Sequence, residues 1–430
     1  MNSITKLDKS SGENGHCMGR ACRAALRQRI RHTRQDQRRG RIADAFIEAR
    51  VRDFRRILAR VARTWLDEAA GMAKGAGVGV DDILMLNCLP PGFPTTPGGC
   101  TSFIRVGRTE NQLFKIRDER DRIQSFAITR GPGRRRIQRA NDIGNLGFAH
   151  FCAADGLAGA NNTGAHTARV PDRPSLNDCH ILRYFAENAA TVAEVPRLYE
   201  RLMDLGVAGG AAMGRGALYG FVDRQSGLLL ETVSDDYVAT PIRRGLLVFS
   251  NHFLSAKARQ WASRPPNANT LLRKRRMEEL LRRCGNRPTP QQVFAISRDR
   301  RNLPHALCND DHKHFWMTLS AWLSVIPRDA SVDAVNFTCC GNTRHSLYVP
   351  IPLSEEDTFV PMLNGAFYRA TRELYRRFAC NAHFRSTQRA FEAAEPSEGA
   401  CAALCRQAYD LIRDNISGKS TSGRILTDSR

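Results

Sequence analysis

Apolar residues in the first part of the chain recur at helical intervals. Between 42 and about 70, Phe46, Phe54, Ile57, Leu58, Val61 and Trp65 stand largely three, four and eight apart, with arginines between them. That pattern predicts one long amphipathic helix with a single burying stripe. Residues 1 to about 15 are polar and predict a disordered start. Glycine is a poor helix former, so Gly75-Ala76-Gly77-Val78-Gly79-Val80 ends the helix and turns the chain into a short apolar element through Asn87.

From residue 101 the pattern shortens. Thr101-Ser102-Phe103-Ile104-Arg105-Val106 is rich in β-branched and aromatic side chains and predicts a strand. Runs at 111–116, 123–128, 145–151 and 156–160 predict further strands of one antiparallel sheet, with Gly131-Pro132-Gly133 punctuating a connection. A helix is predicted from 176 to about 206, then strands at 217–222, 227–231 and 246–249. Helices are expected again at 269–283 and 312–325, and terminal helices at 363–378 and 390–412. The segment 417–423 reads as a frayed tail; its Gly-Lys-Ser lacks the spacing of a phosphate-binding loop. Strands, helices and strands in that order suit a layered α/β or α+β body.

The chain has 430 residues, enough for two or three domains or one large one, and 42% of them are hydrophobic. A sizeable core is therefore expected and general disorder is not. No apolar run is long enough to span a bilayer, and the first 41 residues are too polar for a secretory signal, so the expectation is cytoplasmic. Thirteen scattered cysteines, an odd number, read as free thiols. The formal charge of +22 comes from arginine runs such as Arg134-Arg135-Arg136 and Arg273-Lys274-Arg275-Arg276. These are dispersed and carry no nucleic-acid-binding signature, which disfavours a nucleic-acid partner and favours solvated basic faces.

Cys100 carries the candidate chemistry. Pro94-Thr95-Thr96-Pro97-Gly98 leads into Gly99-Cys100-Thr101, so a thiol heads a strand directly after a glycine peptide open to attack. Such a thiol could cleave its own backbone, leaving an α-amine beside it as base. The plain alternative is a buried filler.

Several segments in order resemble the acyl-CoA:6-aminopenicillanic acid acyltransferase family, self-processing N-terminal-nucleophile enzymes grouped with the cysteine peptidases. They are Asp81-Asp82-Ile83-Leu84-Met85-Leu86-Asn87 before Gly99-Cys100-Thr101-Ser102-Phe103, then Asp155-Gly156-Leu157 with Asn161-Asn162, His180-Ile181-Leu182-Arg183, Asn251-His252-Phe253 and Ala306-Leu307-Cys308. The resemblance implies a four-layer αββα sandwich of α+β class. It divides the chain into a helical pro-segment (1–99), a catalytic body (100–352) and a C-terminal helical extension (353–430). It also implies cleavage between Gly99 and Cys100, with the two fragments staying associated.

In that scheme Cys100 is the nucleophile and Asp118 holds or polarises the new terminus. The Asn251 amide N–H serves the oxyanion, Asn161 or Asn162 lines the pocket, and His252 gives nearby support. Substrates would be small amides, peptides or an acyl-CoA, with no bound cofactor or metal and a coenzyme A thioester as a conceivable acyl donor. Two departures stand out. Ile116-Arg117-Asp118 lacks the family's Asn, and Cys308-Asn309-Asp310 stands where the family has Cys-Arg-His, so the expected pocket cation is missing there; Lys313 or an arginine of 298–301 could replace it, or substrate choice and activity could change. The competing readings are a degenerate, non-catalytic member with a basic binding surface and an ordinary cysteine peptidase with a Cys–His dyad.

Overall fold

The computed structural model describes residues 4–89, 99–120, 122–130, 135–170, 172–211, 214–309, 317–377, 382–393 and 401–417. From Ile4 onward the polar start is ordered rather than disordered. β1 (Ile4–Lys6) leads into α1 (Ser11–Ala21), where the Ser10 hydroxyl and the Glu13 carboxylate cap each other's backbone N–H groups. α2 (Arg23–Arg39), α3 (Asp44–Val61), α4 (Arg63–Ala76) and α5 (Val80–Met85) follow. The long helix expected over 42–70 is instead two, broken at Ala62 (φ −152°, ψ 62°), and Phe46 is left 44% exposed.

Glycines let α1 and α4 touch backbone to backbone. A Cβ on Gly15 would lie 2.2 Å from the Glu68 carbonyl oxygen, and one on Gly71 would lie 1.9 Å from that of Gly12. Arg23 and Arg27 then donate to the carbonyls of Gly75, Ala76 and Gly77 at the end of α4, where the helix dipole favours a cation.

The body alternates strands and helices: β2 (Gly99–Val106), β3 (Glu110–Glu119), β4 (Gln124–Arg130), β5 (Arg136–Asp142), β6 (His150–Ala153), β7 (Ala158–His166), α6 (Asp178–Asn188), α7 (Val195–Asp204), β8 (Arg215–Val222), β9 (Gly227–Val233), β10 (Asp236–Ile242) and β11 (Gly245–Phe249). The single helix expected over 176–206 is split, with a 3-10 turn at Val192–Glu194 before α7. After α8 (Ala256–Arg259), α9 (Ala268–Arg283) and α10 (Pro290–Ile296) come β12 (Met317–Pro327), β13 (Val335–Cys340), β14 (Val349–Pro352) and β15 (Asp357–Phe359). The chain then continues through α11 (Val360–Leu363), α12 (Ala366–Arg377), α13 (Ala382–Ala393) and α14 (Cys401–Ser417).

Apart from the two-stranded β1–β15 pair, the strands divide between two antiparallel sheets, so the runs after residue 101 expected in one sheet are shared between both. One has the order β10-β9-β8-β7-β6-β5-β4, the other β11-β2-β3-β12-β13-β14. Ile104, Leu113, Phe249 and Ile326 of the second sheet share an apolar cluster with Ala158, Leu218 and Leu229 of the first, so the sheets face each other. Met277 and Leu281 of α9 and Phe294 of α10 pack on Phe103, Phe114 and Ile116 on the other face of β2 and β3. The N-terminal helices, α6 and α7 pack on the first sheet through Phe151, Tyr219 and Phe221. β1 pairs with β15, which joins the start of the chain to the segment that precedes the C-terminal helices.

Candidate functional site

β2 lies inside its sheet between β11 and β3, and its register fixes the candidate residues. Gly99 stands opposite Asp118, Cys100 opposite Arg117 and Ser102 opposite Lys115. Directly opposed residues share a face and neighbours along a strand alternate. Cys100, Ser102, Lys115 and Arg117 therefore point at the other sheet, while Thr101 and Asp118 point towards α9. The approach at 94–98 lies outside the described residues.

The Cys100 backbone is gripped at both of its polar atoms. Its N–H donates to Asn251 Oδ1 (2.9 Å), and its carbonyl accepts from Ser250 Oγ (2.9 Å) and Arg273 Nη1 (2.6 Å). Arg273 also donates to Thr101 Oγ1 (2.8 Å), Asn251 Oδ1 (2.6 Å) and, through Nε, Asn269 Oδ1 (2.8 Å). One guanidinium thus orients the nucleophile's peptide and the asparagine beside it, a task its planar fork suits.

Asp118 is buried on that same face. It accepts from Thr318 Oγ1 (2.7 Å) and Asn309 Nδ2 (3.0 Å). Burial pushes its carboxyl up to about 6, against the pull of Arg273 and of these two donors. Burial likewise raises the Cys100 thiol, while Lys115, Arg117 and Arg273 draw it down and Asp118 pushes it up. Lys115 Nζ donates to the carbonyls of Ala149 (3.0 Å) and Asn161 and to Asn161 Oδ1 (2.7 Å), which uses all three protons of an ammonium. Arg117 is ion-paired with Asp142 (2.7 Å).

The asparagine predicted to serve the oxyanion is in place but turned the other way. Asn251 Nδ2 donates to the Thr163 carbonyl (2.7 Å), and its oxygen faces Cys100. In this uncut chain it is an acceptor for the nucleophile's N–H. His252 Nδ1 meets Thr270 Oγ1 (2.9 Å), which accepts from the Asn251 N–H (2.8 Å). Burial lowers the His252 pKa to about 4, so the ring is neutral and supports Asn251 through Thr270. Among the described residues no histidine is hydrogen-bonded to Cys100, as a Cys–His dyad would need.

Asn161 and Asn162 do different things. Asn161 links Lys115 to Asp178 Oδ2 (2.7 Å), whereas Asn162 accepts from Ser102 Oγ (2.9 Å) and donates to the Ser250 carbonyl (3.2 Å), tying β7 to β2.

No family model matches the chain, and no curated protein does. Among solved structures it is similar to a mutant conjugated bile acid hydrolase from Clostridium perfringens, at 10% identity over 58% of this chain and 92% of that one, with a TM-score of 0.38. It is also similar to a Caenorhabditis elegans N-acylethanolamine-hydrolyzing acid amidase, at 12% identity over 53% of this chain and 93% of that one, with a TM-score of 0.34. Likeness this slight carries no functional weight.

The arginine that meets Cys100 in the structure is not one of the candidates named from sequence. Arg298 is spent on Glu392 (2.5 Å), and Lys313 lies outside the described residues, as do Asp310, Asp311, His312 and His314. The cation that contacts Cys100 is Arg273, the first member of a run read as a solvated basic face. Its one sequence signal is register on α9: Arg273 and Met277, four apart, are both buried, which places Arg273 on the helix's inner face. Asn309, noted only as a departure, donates to Asp118.

Proposed function

We propose that this protein is a self-cleaving N-terminal-nucleophile amidohydrolase or acyltransferase that acts on C–N bonds of small amides or peptides through a thioester on Cys100. The observation that carries the reading is the grip on Cys100. The nitrogen that would become its free α-amine is already oriented by Asn251, and its carbonyl is fixed by Ser250 and Arg273. Facing sheets with helices outside them support the four-layer αββα sandwich in which such a nucleophile heads an inner strand.

In cleavage, Cys100 Sγ attacks the Gly99 carbonyl carbon and its proton passes to the departing Cys100 nitrogen. The C–N bond breaks to give a thioester, which water resolves to a Gly99 carboxylate and a Cys100 thiol. The α-amine, with an ordinary pKa near 8, then takes the thiol proton in each turnover. The thiolate attacks the substrate carbonyl, the proton goes to the leaving amine, and water or an acceptor amine removes the acyl group. A coenzyme A thioester is a donor of the same chemistry.

Lys115 and Arg117 share the thiol's face and stabilise the thiolate. Asp118, opposite Gly99, supplies negative charge beside the new ammonium. In the uncut chain Cys100 is buried, 7% exposed.

Intact-mass analysis with amino-terminal sequencing tests this reading. Wild type should give two fragments with Cys100 at the new terminus, and Cys100→Ala one unbroken chain without amide or thioester turnover. Wild-type protein that keeps the Gly99–Cys100 bond and is fully active would overturn it.

A further inference from the structure

At the far end of β2 from Cys100, three turns surround a cleft of about 390 Å³. They are the β2–β3 turn with Arg108 and Thr109, the β10–β11 turn with Arg244, and the α9–α10 link with Asn286 and Arg287. Arg105 of β2 contributes a fourth guanidinium, paired with Glu110 at 3.3 Å. Among the described residues Arg108, Arg244 and Arg287 form no ion pair, and no acidic residue lines the cleft. A Cβ on Gly245 or Gly285 would meet nothing within 4 Å, so the mouth is open.

Arg108, Arg244 and Arg287 line one cleft from three separate turns with no acidic residue among them, and a bound anion would lower the repulsion between like charges there. Arginine's fixed fork suits bidentate contacts to phosphoryl oxygens. One phosphoryl group carries roughly −1.5 to −2 charge, less than these three cations call for. The volume is at the low end of small-molecule sites, about 300–1,000 Å³, and no aromatic side chain lines the cleft to stack a base. A nucleic-acid backbone would ask for an extended basic stripe instead of a hollow closed by turns. We propose that this cleft binds a small anion with two adjacent phosphoryl groups. It lies five residues along β2 from Cys100, roughly 17 Å at about 3.4 Å per residue, so it is separate from the nucleophile and independent of the reading above.

The probe is inorganic pyrophosphate, titrated calorimetrically into full-length Cys100→Ala protein, with sodium chloride matching the ionic strength. Saturation at one site, at least tenfold tighter than orthophosphate, is expected. Arg108→Glu with Arg244→Glu should weaken binding at least tenfold. Arg31→Glu with Arg52→Glu, equal in charge change but on the exposed sides of α2 and α3, should leave it within twofold. Arg244→Gln, a neutral change at an exposed turn, should weaken it at least threefold and serves if the double variant fails to fold. Heat that follows ionic strength alone, or equal loss in both double variants, overturns the proposal. So does a short DNA duplex that binds through these arginines where pyrophosphate does not saturate.

Discussion

Arg273 concentrates several tasks in one side chain. It donates to Cys100, Thr101, Asn251 and Asn269, and among the described residues no carboxylate forms an ion pair with it. Arg273→Met would leave those buried acceptors short of donors. Hydrogen bonds to a charged group contribute about 1.5–3 kcal/mol each, so cleavage should slow roughly 100-fold, read from the ratio of whole to cut chain over time. Arg273→Lys should recover part of the rate, because an ammonium keeps the charge but not the fork.

Asp118 gives a second test. Its folded pKa is raised to about 6, above the unfolded value near 3.9, so the folded state holds the proton more tightly and is favoured on the acid side. The melting temperature of wild type relative to Asp118→Asn should therefore fall as pH rises from about 4 to about 6, then level off. A difference that stays flat through that window would show that burial does not govern this carboxyl. The head of β2 was legible because Cys100, Asp118 and Asn251 stand in short motifs. Arg273 was not, because it reaches Cys100 across 173 residues of sequence and only the packing of α9 brings it there.

Among the elements, strands with dense apolar runs could be read directly, whereas others could not. β5, Arg136-Ile137-Gln138-Arg139-Ala140-Asn141-Asp142, is polar yet buried, since its arginines and Asp142 find partners in the fold. β10 is an edge strand with little burial to mark it. β12 was expected to be part of a helix over 312–325. Its residues are buried on both faces, and such a run has no period to separate strand from helix.

The α1–α4 contact was missed for a different reason, since its residues are defined by having no side chain. Gly71→Val should destabilise the protein by about 2 kcal/mol or more through backbone collision, in the range for overpacking. Gly12→Ala, whose Cβ would sit 3.6 Å from the Asp67 carbonyl oxygen, should be tolerated. Thermal melting of the two variants checks the pair, and equal melting temperatures would argue against close backbone contact.

On the scale of the whole molecule, several arginines do internal structural work. Arg117 and Arg183 are buried in ion pairs with carboxylates, and Arg135 and Arg224 bind main-chain carbonyls; the buried pairs are neutral, so they leave the +22 balance to the rest of the molecule. Among the described residues no helix is long and apolar enough to cross a membrane. The pairing of β1 with β15 gives the proposed cut a further meaning. An uncut chain carries both strands on one covalent thread and refolds at a rate that does not depend on how much protein is present. Once Gly99 and Cys100 part, the same pairing, like the packing of the N-terminal helices on the first sheet, joins two separate molecules. Denatured, nicked protein should then regain structure faster as its concentration is raised, while Cys100→Ala protein should show no such dependence. Dilution jumps from denaturant at several concentrations, followed by fluorescence, would separate the two. Equal, concentration-independent rates would mean that the amino-terminal piece adds nothing to recovery. Under the proposed scheme, the mature assembly keeps a record of its synthesis, because two fragments that fold apart must find each other where one chain never had to.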